Sequence, residues 1–393
     1  MSHRRGSAEE PFRTEIRTRF ESALTGRLQS MRGPHVNRED EDLSRALEVK
    51  LGEAGLGCIG WPKAYGGRDA TLAERVIFAE EWARAGLASR PNHVGVELIG
   101  PTLLEFGSEA QKARFLPPIA AGREFWAQCF SEPNAGSDLA NVQTRAHLEE
   151  GPDGPHWVIE GQKTWGSHAQ MADWCFVVCR TEAGSAKSKG LSFLLVPLRQ
   201  PRITMRPVRQ MTGESDFNDI FFDGAQTPAE NIVGAPGDGW RIAMATLSYE
   251  RGVSTFGYQV RFRRELDEIT AAARANGKAS DPIIRQRLAQ AEIGLRVMHA
   301  FSMRMLTNME CGRDGPEAIL NKLFFPSWHQ ALGELAMDIL GRKAELAPGD
   351  EYRFPELTRM FLFSRADSIG SGTSQVQRNL IGERVLGLPR EPR

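Results

Sequence analysis

The run from Gln128 to Ala140, QCFSEPNAGSDLA, crowds the small hydroxyls of Ser131 and Ser137, an acid, a proline turn and a glycine into one short stretch. Taken alone it reads as a turn, because Ser, Pro, Asn and Gly are ordinary turn formers. Three downstream runs share its texture: GQKTWGSHAQMADW from Gly161 to Trp174, TPAENIVGAPGDGW from Thr227 to Trp240, and GSGTSQVQRNLIGERVLGLPR from Gly370 to Arg390. In the last of them Thr373 and Gln375 stand where a helix begins, and backbone donors at a helix start suit a phosphate. Side chains do not accept hydride, so redox chemistry of that kind always needs a bound flavin or nicotinamide. No Gly-x-Gly-x-x-Gly opens a strand-turn-helix unit, which argues against a Rossmann nicotinamide site. Cys175 and Cys179 share one face of a strand, but no further pair is spaced to complete a metal site, and packing is the expected role.

The elements that must position these residues fall into three stretches. From 1 to 124 the chain reads as helical, with capping boxes at Thr71/Glu74 and Ser108/Gln111, and with Pro117-Pro118 ending a helix. The first ten residues read as a disordered tail, since they hold no apolar core segment. From 125 to 236 short β-branched and aromatic runs (156–160, 174–179, 191–196 and 203–208), joined by turns such as Gly151-Pro152-Asp153-Gly154, predict an antiparallel β-barrel or sandwich. From 237 to 393 apolar residues at three- and four-residue spacing over 285–309, 318–340 and 355–364 predict a four-helix bundle, kinked at Pro326.

The order and spacing of the four runs resemble the acyl-CoA dehydrogenase family, over about 51–390. That resemblance implies FAD as cofactor and this same α, β, α order. It implies that Gln128, Phe130, Ser131, Trp165 and Ser167 contact the isoalloxazine, that Thr373 and Gln375 contact the FAD pyrophosphate, and that Ser137 touches the pantetheine arm of an acyl-CoA. Many family members carry the catalytic glutamate where this chain has Ser371, whose hydroxyl cannot serve as the base. Another branch places it in a Glu-Arg pair at the start of the bundle, and Glu250-Arg251 stands there. Glu250 is therefore the expected α-proton base, beside Arg251 at the substrate. The Ser371 N–H and a flavin ribityl hydroxyl would hold the thioester oxygen.

Two family elements that reach a neighbouring subunit's FAD are altered. The Arg-x-x-Phe-Gly segment is replaced within Ala273 to Gln290, and the Gln-x-x-Gly-Gly run by Met337-Asp338-Ile339-Leu340-Gly341. Either Arg285 or Arg287 replaces the missing arginine, or the chain assembles with a paralogue; a homotetramer and a heterotetramer both remain open. The expected function is α,β-dehydrogenation of an acyl-CoA to its trans-2-enoyl-CoA, with an electron-transfer flavoprotein as acceptor. A flavin oxidase or monooxygenase on the same scaffold is the enzymatic rival. A subunit that binds FAD or completes a partner's site is the other. Gly252 and Gly257, close after Glu250, would leave room for a bulky acyl group or simply serve helix packing. Basic and acidic residues number 49 and 50, so no broad basic field invites nucleic acid or membrane. Five cysteines without a CxxC pair fit a reducing cytoplasm.

Overall fold

The computed structural model describes residues 9–33, 40–87, 90–249, 254–313, 315–345 and 355–390. They form two compact units. The first comprises Met1–Thr71, Leu87–Gln210 and Glu214–Glu250, and the second Leu72–Gly86, Met211–Gly213 and Arg251–Arg393.

In the N-terminal stretch the helices are α1 (Glu9–Ala23), α2 (Glu41–Glu53), α3 (Leu72–Arg84), α4 (Gly100–Phe106) and α5 (Glu109–Ala120), of which α3 belongs to the second unit. Residues 1–8 of the expected tail lie outside the described residues, but Glu9 and Glu10 already open α1. Two acids in its first turn complement the helix dipole, and Ile16, Phe20 and Ala23 give it a buried stripe. The capping box of α5 is present: Ser108 Oγ accepts from Gln111 N at 3.1 Å, and Gln111 Oε1 from Ser108 N at 3.0 Å. The prolines do not end α5, which runs through Pro117 and Pro118 to Ala120. Proline's fixed φ is helical, and the Pro117 carbonyl still takes the Ala121 N–H at 3.0 Å, so only the hydrogen bonds proline cannot donate are lost.

The strands are β1 (Trp126–Cys129), β2 (Arg145–Gly151), β3 (Gly154–Ser167), β4 (Trp174–Arg180), β5 (Leu191–Pro197), β6 (Ile203–Val208), β7 (Phe217–Pro228) and β8 (Ile232–Val233). They form one sheet in the order β6-β7-β3-β2-β4-β5-β8, with β1 pairing β4. The sheet is not wholly antiparallel, because β1 lies parallel to β4, Trp126 opposite Trp174 and Cys129 opposite Val177. A parallel partner needs a long crossover, here the chain between Cys129 and Trp174, which carries the β2–β3 hairpin. Both faces of β4 are buried from Cys175 to Cys179, and that run is apolar instead of alternating. Phe176 and Val178 enter a core with Trp126, Phe130 and Phe193 and with Leu103, Phe115 and Ile119 of the helices. Cys175, Val177 and Cys179 enter the other core with Ala127, Cys129 and Ile220.

The helices that follow are α6 (Gly239–Tyr249), in the first unit, then α7 (Ser254–Ala275), α8 (Pro282–Glu310), α9 (Glu317–Leu340), α10 (Glu356–Ser364) and α11 (Ser374–Leu380) in the second. Pro282 sits in the first turn of α8, and Asp281 caps it by accepting from Ile283 N and Ile284 N. Around Phe262, Leu295, Trp328, Leu332 and Met360 the bundle core closes. Gly294 is needed there, since a Cβ at its position would stand 2.2 Å from the Trp328 ring. α9 is helical through Pro326.

Candidate functional site

Lys163 on β3 is fully buried, and its Nζ donates to the Phe130 carbonyl at 3.0 Å, the Val178 carbonyl at 2.7 Å and Glu132 Oε1 at 2.8 Å. Glu132 in turn accepts from the Gln143 N–H at 2.6 Å and the Thr144 N–H at 2.8 Å. Burial alone would push the Glu132 carboxyl up, but the Lys163 ammonium and those two N–H groups outweigh it and hold it below the ordinary value. Complete burial pulls Lys163 below the ordinary lysine value, with Glu132 opposing. The ammonium thus pins the residues on either side of Ser131.

The next residue of β3 continues the join: Thr164 N donates to the Ser131 carbonyl at 2.9 Å, and Thr164 Oγ1 to Asp219 at 2.6 Å. Here the β3–β7 register breaks, between Lys163 and Gly166, and Trp165 takes a left-handed φ of 60°. A bulge re-aims a side chain, and Trp165 is 55% exposed, touching Phe217 edge-on at 5.6 Å. A large indole held outward by a strained backbone beside Ser131 is the conspicuous feature of this end of the sheet.

The other expected contacts divide. The Gln128 side-chain nitrogen is buried, with no hydrogen-bond partner among the described residues. Ser167 is half-buried at the end of β3, and Ser137 is exposed before the turn at Leu139–Asn141. The Phe130 ring is packed in the core, edge-on to Phe176 at 5.4 Å and Phe193 at 5.9 Å. The ring lies just past the end of β1, in the core that also takes Trp126.

In the second unit Ser371 has a left-handed φ of 54° and Gly372 follows at 92°. Thr373 caps α11, its hydroxyl accepting from Val376 N at 3.2 Å, and Gln375 is exposed. Buried Gln377 reaches back to the Ser371 and Gly372 carbonyls at 3.5 and 3.4 Å. Glu250, Arg251 and Gly252 lie outside the described residues; Gly257 lies in α7. α6 runs up to Tyr249, whose hydroxyl donates to Glu105. Arg287 is paired with Asp338, and Asn276 Nδ2 donates to the Ile339 carbonyl at 2.7 Å, so the two altered segments bind one another within the bundle.

Sequence reasoning missed Lys163 and Glu132, both of them inside the quoted runs. A lysine in an otherwise apolar strand position was the available signal, because such a group is rarely buried without a partner. Cys175 and Cys179 pack in the core, where burial pushes the Cys179 thiol up to about 12.

Helices precede and follow the sheet, an exposed aromatic and hydroxyls stand at one sheet end, and a Gly-Thr-Ser turn opens α11. The chain belongs to the acyl-CoA dehydrogenase family: the family's N-terminal domain matches residues 8–123, its middle domain 127–225 and its C-terminal domain 237–386. It is similar to acyl-CoA dehydrogenase IpdE1 of Mycobacterium tuberculosis (strain ATCC 25618 / H37Rv), 48% identical over 385 residues and covering 97% of this chain and 98% of that protein. IpdE1 of Mycolicibacterium smegmatis is 48% identical over 389 residues with the same coverage. Among solved structures, the Tcur3481-Tcur3483 steroid ACAD is similar at 28% identity with a TM-score of 0.85, covering all of both chains. The ChsE4-ChsE5 complex from Mycobacterium tuberculosis is similar at 27% identity with a TM-score of 0.82 and the same coverage. Among the described residues no helix is long and apolar enough to cross a membrane.

Proposed function

We propose that the chain catalyses FAD-dependent α,β-dehydrogenation of an acyl-CoA thioester to the trans-2-enoyl-CoA, with Glu250 as the α-proton base. The observation that carries this reading is the end of the sheet where Trp165 stands outward beside Ser131, fixed by the Thr164 N–H and by buried Lys163. An exposed indole, the hydroxyls of Ser131 and Ser167 and the unpartnered Gln128 nitrogen fit an aromatic heterocycle with a polar edge. Phe130 would contribute only main chain, its ring being in the core. Thr373 and Gln375 would hold the pyrophosphate, and Ser137 the pantetheine arm.

FAD, when bound, supplies the hydride acceptor for the Cβ hydrogen. Glu250 takes the α proton, and the Ser371 N–H donates to the thioester oxygen as negative charge builds there. One such donor typically contributes about 2.7 to 4 kcal/mol of transition-state stabilisation. A serine at 371 keeps that N–H. Arg251 would bind substrate beside the base, and an electron-transfer flavoprotein in the cytoplasm would receive the electrons.

The acyl group is a steroid-derived one in this reading, supported by the steroid ACAD among the similar structures. Assembly is with a paralogue, supported by the two-component names of both structural relatives and by the pairing of Arg287 with Asp338 inside its own bundle. Size-exclusion analysis with flavin content tests that: a fully loaded homotetramer of this chain alone would remove the paralogue.

The test of the reaction is anaerobic bleaching of the flavin absorbance by straight, branched and polycyclic acyl-CoA thioesters, run beside Glu250→Gln. Bleaching by one class that disappears in the variant is the expected result. Flavin that binds but bleaches equally in both proteins would overturn the assignment of Glu250. Rapid oxygen consumption by the bleached protein would favour an oxidase or monooxygenase.

A further inference from the structure

Shortly before Ser371 the chain is fastened to the bundle through an imidazole. His329 on α9 is 1% exposed, with Nδ1 2.5 Å from Asp367 Oδ2 and Nε2 3.0 Å from Glu265 Oε2 on α7. The Phe262 ring packs against it at 4.8 Å. A neutral imidazole has one N–H, so it can serve one of these carboxylates and must turn a lone pair on the other. Serving both requires the imidazolium. The two carboxylates favour it, against the cations beside them: Arg261 on α7 lies 3.5 Å from Glu265, and Lys322 on α9 donates to the Asp367 carbonyl at 2.7 Å.

Asp367 begins the turn that delivers Ser371. The Ile369 and Gly370 N–H groups both close on the Ala366 carbonyl, at 2.9 and 3.0 Å. Ser371 and Gly372 then take successive left-handed conformations before Thr373 caps α11. A non-glycine residue keeps such a φ only where its surroundings hold it. The far end is held by the Thr373 cap and Gln377; the near end is held by His329, with Gln330 adding a bond to Ser368 Oγ at 3.0 Å.

We infer that His329, as an imidazolium clamped between Glu265 and Asp367, is the positioning residue for the turn that presents the Ser371 N–H. The inference rests on the role proposed above for Ser371. Burial would lower the His329 pKa, but the hydrogen bonds from the ring to Asp367 and Glu265 outweigh it and raise it above 6.5. A raised folded-state value means that the docking is complete below 6.5 and is lost as pH rises through that higher value.

The test is amide hydrogen exchange of peptides spanning 366–376 in the full chain, expressed as protection factors from about pH 6 to pH 9 so that the intrinsic pH dependence divides out. Wild type is expected to lose protection there as pH rises, while α8 peptides do not. His329→Gln should lower protection by roughly ten- to a hundredfold at the low-pH end, the loss expected of hydrogen bonds to charged groups. Asp367→Asn should keep the turn docked and abolish its pH dependence, because an asparagine amide can donate to the lone pair of a neutral ring or accept from the imidazolium. Protection in His329→Gln within about twofold of wild type would overturn the inference, and so would an unaltered pH dependence in Asp367→Asn. Should His329→Gln fail to fold, the Asp367→Asn comparison decides alone. None of these readouts needs turnover, so failure of the dehydrogenase reading would appear separately, in flavin bleaching.

Discussion

Replacing Lys163 by methionine keeps an unbranched side chain out to Cε and removes the ammonium. In the structure that ammonium satisfies two main-chain carbonyls and one carboxylate in a site with no exposure. Breaking a buried ion pair from one side typically costs about 3–5 kcal/mol, because the remaining charge is left buried. Glu132 keeps its two N–H donors from Gln143 and Thr144, which favours the lower end, while the Phe130 and Val178 carbonyls lose a donor and restore part of the cost. A value of about 4 kcal/mol, at the ~2–4 °C per kcal/mol usual for a cooperative unit of this size class, lowers the Tm by roughly 8–16 °C. Thermal unfolding followed by far-ultraviolet circular dichroism measures it. Adding Glu132→Leu should not recover the loss, since the Gln143 and Thr144 N–H groups would then be orphaned as well. A fall of less than about 3 °C in Lys163→Met would show that the site is wetter or more adaptable than the geometry describes, and would refute the argument.

The same pair has a pH signature. Glu132 is held below the ordinary carboxylate value of 4.5, so its contribution is present above 4.5 and disappears as pH falls through the lower folded-state value. The Tm difference between wild type and Glu132→Gln should stay constant through neutral pH and shrink only in that acid range; a difference already shrinking near neutrality would contradict the assignment. Gly239→Ala should destabilise by roughly 1–3 kcal/mol, because its Cβ would stand 2.5 Å from the Ser192 main chain, which cannot swing aside. Denaturant midpoints measure this, and an unchanged midpoint would sink it. Trp165→Ala removes a mostly exposed ring and should leave unfolding within about 0.5 kcal/mol of wild type. The same substitution should weaken FAD binding about tenfold, by the loss of one aromatic contact. Equilibrium flavin fluorescence would read the second effect, and unaltered affinity would remove Trp165 from the cofactor site.

Much of the fold was legible because its signals are local. The apolar spacing over 285–309 and 318–340 became α8 and α9, the Ser108/Gln111 box formed as expected, and Gly151 and Gly154 close the β2–β3 hairpin. Where the sequence misled, a distant partner had decided the outcome. Pro117 and Pro118 carry a strong local signal against helix, yet they lie within α5, whose buried Leu116 and Ile119 are packed in the first core. Phe130 matches a flavin-side position of the family, and its ring is packed against Phe176 and Phe193, which come from strands far along the chain.

Composition, helix and strand periodicity, and the four motif runs determined the α, β, α order and the family, because each depends on residues close together in the chain. Tertiary structure alone decided that β1 runs parallel to β4, that Lys163 meets Glu132 under Ser131, and that His329 bridges Glu265 and Asp367. A charged side chain is read from sequence as a surface group, since desolvation makes that its cheapest place. Only when the fold brings an opposite charge and main-chain acceptors to the same buried point does the interior become the better solvent, and no local pattern records where that point will be.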